Sequence, residues 1–433
     1  MSTADKAAVS PLATDIQRDA ELLALRIVAS EPVRQAKAQI KRELLDDPLA
    51  ATADGAKWLD RAIDYWTLSL ALREAVGDTS RPEFVWPIDD TPRSWFGYDF
   101  PGSSVGGVAN PDNVYRNAFL DGSRRYELRG RVHANAPTTY SVELTRQTPG
   151  QLMLTPAEGK LEADLGDQLG ILTQRDIQTD SDGYFCITFD REPANGRINH
   201  LQTVEGPMAI NHRDTLADWQ QMPNSIELHA LDGAIEPLAT EQDLIQRTAD
   251  HLHSYVLFWT PFRRHFLGAP PPNSVSANFP RDGGWGYAAG GRYALAADEA
   301  LVIVTHSGNA AYTGFQISDA WMMVPDMRAH QGSLNGNQVV PDSDGSITYV
   351  IARRDPGVAN WIDTADHAEG WFMLRWQELA KNVDASKLLS QPILVKLADL
   401  DGVVGDNVAR IGAEERRSQL AKRRADYQHR IGK

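Results

Sequence analysis

The chain has 433 residues, 58 of them acidic and 43 basic, for a net charge of −15. That length admits two or three domains with substantial cores, and the acidic balance repels a phosphate backbone or an anionic bilayer. We therefore expect no nucleic-acid partner and no membrane partner.

The opening MSTADKAAVSPLATD has no apolar core behind a basic head, and no uncharged apolar run approaches the roughly 20 residues that cross a membrane, so the expected compartment is the cytoplasm. Cys186 is the single cysteine, which leaves no intrachain disulfide to form. In the first segment, 1–112, DIQRDAELLALRIVASEPVRQAKAQIKRELLDD reads as helix interrupted near Pro32. AKWLDRAIDYWTLSLALREAV reads as a second helix, whose stripe of Leu59, Ala62, Ile63, Trp66 and Leu70 packs on the rest of the protein. RPEFVWPIDDTPRSWFGYDFPGSSVGGVANPD, rich in Pro, Gly and aromatics, is expected to be a long ordered loop or rim.

A first β-module is expected over 113–239, a helix and linker over 240–291, a second β-module over 292–400 and a basic helical tail over 401–433. Thr240 and Asp243 form a variant capping box at the start of the middle helix. On the tail, Leu420, Tyr427 and Ile431 share a face, which we expect to dock on its own subunit or to hold a homo-oligomer together.

The tetrapeptide DSDG occurs in both modules, at 180–183 and 342–345. As an EF-hand loop it fails, because the twelfth position would be Phe189 or Ile351, neither of which coordinates a cation. Asp-Gly between β-rich segments is instead a hairpin signal. The flanks repeat as well: Glu192-Pro193, Asn199-His200-Leu201, Thr203 and Glu205-Gly206 follow the first turn, and Asp355-Pro356, Asn360-Trp361-Ile362, Thr364 and Glu369-Gly370 follow the second. Upstream, Arg125-Tyr126 matches Arg292-Tyr293, and Tyr140 matches Tyr312. We read an internal duplication giving tandem jelly-roll-like β-sandwich modules, mainly β with helical elements at both ends and between them.

No cofactor or metal is expected. GGWGYAAGG lacks the strand–helix setting of a dinucleotide loop, no P-loop is present, and His251 and His253 stand two apart on a helix, where they cannot easily share an ion. GSSVG around Ser104 lies in a Pro/Gly loop rather than at a nucleophile elbow.

The candidate catalytic residues come from comparing the copies. Val204 alone lies between the matched Thr and Glu-Gly of copy one, whereas copy two has Ala365-Asp366-His367-Ala368. With Asp363 and Glu369, the added Asp366 and His367 could hold an imidazole in one tautomer for general acid–base work. Asn113 and Tyr115 in ANPDNVYRN, with Asn360, Trp361 and Trp285, are the candidate substrate-binding residues. Trp86, Trp95, Trp285 and Trp361 on expected loops suit an apolar or aromatic small-molecule ligand.

SLNGNQVVPDSDGSITYVIARRDPGVANWIDTADHAEGWFMLRWQ resembles the bacterial family catalogued as domain of unknown function 1214, and NPDNVYRNAFLDGSRRYELRG resembles the front half of its longer members. The resemblance spans about 110–377 and implies a jelly-roll-type sandwich, without an activity and without catalytic residues to carry over. Members of the family often occur in bacteria that degrade or modify small organic compounds. The expectation is a cofactor-independent lyase, isomerase or hydrolase of an apolar or ring-shaped compound; the alternatives are a sandwich that binds a sugar or lipid-like ligand and an oligomeric assembly protein.

Overall fold

The computed structural model describes residues 10–105, 109–146, 168–265, 271–281, 286–380 and 382–432. Three helices come first: α1 (Asp15–Ala29), α2 (Glu31–Leu44) and α3 (Ala53–Ala75). Thr14 caps α1 by accepting from Gln17 N, and Thr52 caps α3 by accepting from Gly55 N at 3.0 Å. The region expected to be a loop carries short strands: β1 (Val85–Ile88), β2 (Arg93–Trp95) and β3 (Tyr98–Phe100). Trp86 and Trp95 are buried there against Trp219 and Tyr427, so these tryptophans pack rather than wait on loops.

The first sandwich is made from β1 together with β4 (Asn113–Asp121), β5 (Tyr126–Arg131), β6 (Thr139–Thr145), β7 (Gln168–Thr173), β8 (Tyr184–Asp190), β9 (His200–Gln202), β10 (Pro207–Thr215) and β11 (Ser225–Ala230). Its sheets run β1-β4-β10-β6-β7 and β11-β5-β8-β9. Leu120, Leu128, Val142, Ile187 and Ile210 fill the space between them. Each such fully buried side chain contributes roughly 1.5–3 kcal/mol.

Helix α4 (Glu241–His265) follows, capped by Thr240 and Asp243, whose side chains each accept from the other's backbone N–H. Next come β12 (Ser274–Val275), β13 (Phe279–Pro280), β14 (Tyr287–Ala294), β15 (Glu299–Thr305), β16 (Tyr312–Ser318), β17 (Ser333–Asn335), β18 (Ile347–Ala352), β19 (Trp361–Asp363), β20 (Glu369–Gln377) and β21 (Ile393–Lys396). The second sandwich pairs sheets β12-β14-β20-β16-β17 and β19-β18-β15-β21, with β13 on β14. Strand for strand this is the order of the first, so the fold is mainly β, built as two copies of one sandwich with helical elements. In each copy, one parallel pair follows the DSDG turn. Thr188 lies opposite His200, and Val350 opposite Trp361, each five positions beyond its turn glycine.

The DSDG segments are tight turns, with φ of +82° at both Gly183 and Gly345, but they are not hairpins between paired strands. Each leads into one strand alone, held by Asp180 N–H to Tyr184 O and by Asp342 N–H to Ser346 O. The upstream matches also slip. Arg125-Tyr126 leads into β5, whereas Arg292-Tyr293 lies in β14, the counterpart of β4. Tyr140 faces its sandwich core, whereas Tyr312 points away from its own and donates to Asp112 Oδ2 at 2.7 Å. A one-residue slip along a strand exchanges faces.

After a short α5 (Leu400–Val404), α6 (Ala413–Arg430) docks on its own chain. Tyr427 and Ile431 are buried as expected, but Leu420 is only half-buried. The docked face is instead basic: Arg416, Arg423 and Arg430, seven residues apart, are all buried. Arg423 donates to Met327 O and to both oxygens of Ser333, and Arg430 donates to Pro111 O.

A candidate ligand cleft in the first module

The sequence-derived residues fall into separate networks. His367 is buried, its ring 5.0 Å from that of Trp58 on α3, and burial holds its pKa below the usual histidine range. Asp54 of α3 accepts from Ala368 N and Glu369 N at 2.6 and 3.1 Å. The residues added in copy two, with φ of +52° at Ala365 and +63° at Asp366, thus form a foot on which α3 stands. Asp363 binds His330 Nδ1 at 2.7 Å, Asp366 pairs with Arg353, and Glu369 lies 3.9 Å from Arg292.

Tyr115 is held elsewhere: its phenol oxygen accepts from Asn110 N and Asn113 Nδ2 at 2.9 and 3.1 Å. Asn360 clamps Val340, just before the second DSDG turn, and Trp361 is buried under Arg416 with Nε1 donating to Ala352 O. Trp285 lies outside the described residues. Ser104 is fully buried beside Asp90. His251 and His253 bind Glu74 and Glu43, tying α4 to α3 and α2.

Strand geometry singles out other residues. In β4, Val114, Arg116, Ala118 and Leu120 point into the first sandwich, and in β10 so do Met208, Ile210, His212 and Asp214. Equivalent rungs of the two copies can be laid side by side. Leu144 opposite Ile210 answers to Ile317 opposite Phe372, Val142 opposite His212 to Phe315 opposite Leu374, and Tyr140 opposite Asp214 to Thr313 opposite Trp376. Arg116, opposite His212, answers to Ala289, opposite Leu374. Three polar groups in copy one therefore stand where copy two has Ala, Leu and Trp.

These groups are buried together. Arg116 Nη2 donates to Asp214 Oδ2 at 2.6 Å and to Asn224 O at 2.7 Å, and lies 3.5 Å from His212 Nδ1. Asn224 Nδ2 donates to Asp214 Oδ1 at 2.9 Å. Burial outweighs the ion pair: it raises the Asp214 carboxyl to about 6, lowers Arg116, and holds His212 well below its ordinary value, hence neutral. All of these guanidinium contacts are made by Nη2. Nε is buried without a partner, as is His212 Nε2, and Nη1 has none among the described residues.

Arg116 also lines a cleft of about 490 Å³ between the segment leading into α1, residues 80–86 and β11. Leu12, Ile16, Phe84, Trp86, Ile226 and Leu228 give it apolar walls, and Gln17, Arg81, Glu83, Glu227 and His229 supply polar groups. The Phe84 ring stands 6.5 Å from that of His212, edge to face. Glu83 is exposed at the rim, yet the surrounding protein raises its carboxyl, helped by Asp19 and Asp78. Of the tryptophans that the sequence suggests for a ligand, Trp86 lines this cleft, whereas none of the described candidate catalytic and substrate-binding residues does. A smaller cavity of about 290 Å³ beneath α6 differs in kind, because Arg423, which lines it, donates through all three guanidinium nitrogens to the protein itself.

Among the described residues, no group of three or more His, Cys, Asp or Glu side chains is placed to hold a metal ion, and no helix is long and apolar enough to cross a membrane. No protein-family model and no curated protein matches the chain. Among solved structures, an uncharacterized protein from Burkholderia cenocepacia is similar at 23% identity and a TM-score of 0.65, over 87% of this chain and 99% of that one. The VPA0106 protein from Vibrio parahaemolyticus aligns over 67% of this chain and 90% of its own, at 10% identity and a TM-score of 0.38. The first likeness is one of fold alone.

Proposed function

We propose that the protein acts by acid–base chemistry on a small organic molecule with an apolar body, held in the cleft of the first sandwich. One observation carries this reading. A buried arginine, its Nη1 without a bond among the described residues, lines a cleft large enough for a small ligand, in the copy of the sandwich that departs from an all-apolar core. Leaving such a donor without a partner costs roughly 1–3 kcal/mol, a cost that a ligand's polar end would relieve. The apolar walls take the body of the molecule. Glu83, its carboxyl raised above the usual carboxylate range by the surrounding protein, gives or takes the proton. The resemblance of the second module to domain of unknown function 1214 supports the fold of this reading and adds no activity to it.

The test is to incubate the purified protein with a pool of small aromatic and alicyclic acids, lactones and alcohols, and to follow their conversion by mass spectrometry. Turnover that falls by roughly 10²-fold in Glu83→Gln while binding persists is the expected result. Turnover unchanged by Glu83→Gln overturns the acid–base role, and binding without turnover of any compound reduces the cleft to a ligand-binding site.

A further inference from the structure

We propose that the cleft selects a ligand with an anionic head seated on the Nη1 edge of Arg116, and that Asp214 sets the strength of that seat by competing for the same guanidinium. This rests on the cleft being the ligand site. Three observations lead to it. The guanidinium makes its bonds through Nη2, to Asp214 and to a backbone carbonyl, which leaves the N–H groups of Nη1 for a second acceptor. A charged N–H group of this kind forms a short, strong bond to an oxygen of a carboxylate, sulfonate or phosphate. The walls opposite are apolar, so a charge brought there is seated where water screens it little.

The competing carboxylate is enclosed. Asp214 is faced by Arg116 from β4, by His212 along β10, by Asn224 from the loop before β11 and by Tyr140 across the rung from β6. Of these groups Arg116 alone carries charge, because burial keeps His212 neutral. When Asp214 is ionised, Arg116 is neutralised from within the sandwich and the cleft floor is close to charge-balanced. When Asp214 takes up a proton, the positive charge of Arg116 is free for the ligand. Burial places that change at about pH 6, and Glu83 at the rim, also raised, loses its repulsion in the same direction. Anion affinity therefore rises as the solution becomes more acidic, the opposite of a site whose ligand is neutral.

The experiment compares phenylmethanesulfonate, charged at every pH used, with the near-isosteric and neutral phenylmethanesulfonamide. Calorimetry from pH 8 to pH 5 gives the affinities, and the ring NMR signals of His212 and His229 report occupancy of the cleft. The sulfonate is expected to bind at least about tenfold tighter and to gain at least about fivefold between pH 8 and pH 5, while the sulfonamide stays flat. In Asp214→Asn, sulfonate affinity at pH 8 should approach the wild-type value at pH 5; if that variant fails to fold, the wild-type pH profiles of the pair decide. Equal binding of the two compounds, or a sulfonate affinity that does not change with pH, overturns the inference while the cleft remains a ligand site. Failure of both compounds to shift either histidine overturns the inference and counts against the cleft as well.

Discussion

Asn199 and Asn360 do the same work at the same place in the two sandwiches. Asn199 Nδ2 donates to Gln178 O and its Oδ1 accepts from Gln178 N, both at 2.8 Å; Asn360 makes the same pair of bonds with Val340, also at 2.8 Å. Each asparagine carbonyl then accepts from the strand after the DSDG turn, from Thr188 N and Val350 N. The side-chain amide thus imitates a strand partner for a loop that has none.

Replacing either asparagine by alanine leaves a backbone N–H and a C=O without partners. Both variants should lose about 2 kcal/mol in urea unfolding. Neither should change ligand affinity, since neither residue lines the cleft. A variant with wild-type stability would show that water replaces the amide without loss.

The two turn glycines should differ. Both have φ of +82°, which costs a side chain roughly 1–2 kcal/mol. A Cβ on Gly183 would also meet Val132 O at 2.4 Å, whereas one on Gly345 meets open space. Melting temperatures should fall further for Gly183→Ala than for Gly345→Ala, and the reverse order would refute the turn geometry.

Arg116→Met strands Asp214 in the sandwich and should cost roughly 3–5 kcal/mol, much of which Arg116→Met combined with Asp214→Leu should recover. The pH dependence has a definite sign. Burial raises the folded-state value of Asp214 to about 6 from an ordinary 3.8, so the folded protein takes up this proton first. The residue's favourable contribution is present in acid and falls as pH rises from about 4 to about 6, by on the order of 2–3 kcal/mol. Stability profiles of wild type and Asp214→Asn should diverge over that window in favour of the variant; parallel profiles would contradict it.

His251 works in the other sense. Its bond to Glu74 raises its pKa, so the pair stabilises the fold below the ordinary histidine value and loses that contribution as pH rises through the raised one. The ring is 45% exposed, and solvent screening limits the effect to about 0.5 kcal/mol. His251→Gln should therefore be slightly destabilised at pH 5.5 and match wild type at pH 9.

The duplication was legible because turns and clamps need particular residues: Gly for positive φ, and Asn for paired bonds to backbone. Comparing the copies for residues present in one alone points first to an insertion, the one around His367. That addition supports α3, whereas the polar residues of the first core differ from the second copy by substitution on matched rungs. Their signal lay in strand parity. Arg116 alternates in phase with Val114, Ala118 and Leu120, and His212 and Asp214 with Met208 and Ile210, so polar residues occupy core positions. The face of α6 is legible only in part, from Tyr427 and Ile431, for a related reason. Its buried positions are arginines at intervals of seven, which look like solvated charge until they are seen to meet backbone carbonyls and tryptophan rings.

The docking of α6 also bears on the order of events during synthesis. Tyr427 donates to Asp89 Oδ2 at 2.7 Å across 338 residues, and the arginines of α6 reach carbonyls between β1 and β4 of the first sandwich and in the second. Both sandwiches leave the ribosome before α6 does, so a nascent chain holds the buried carboxylate of Asp89 without its last hydrogen-bond donor until the helix emerges. The late helix acts as a latch: until it closes, Asp89 and the carbonyls of Pro111 and Met327 lack the donors that it brings.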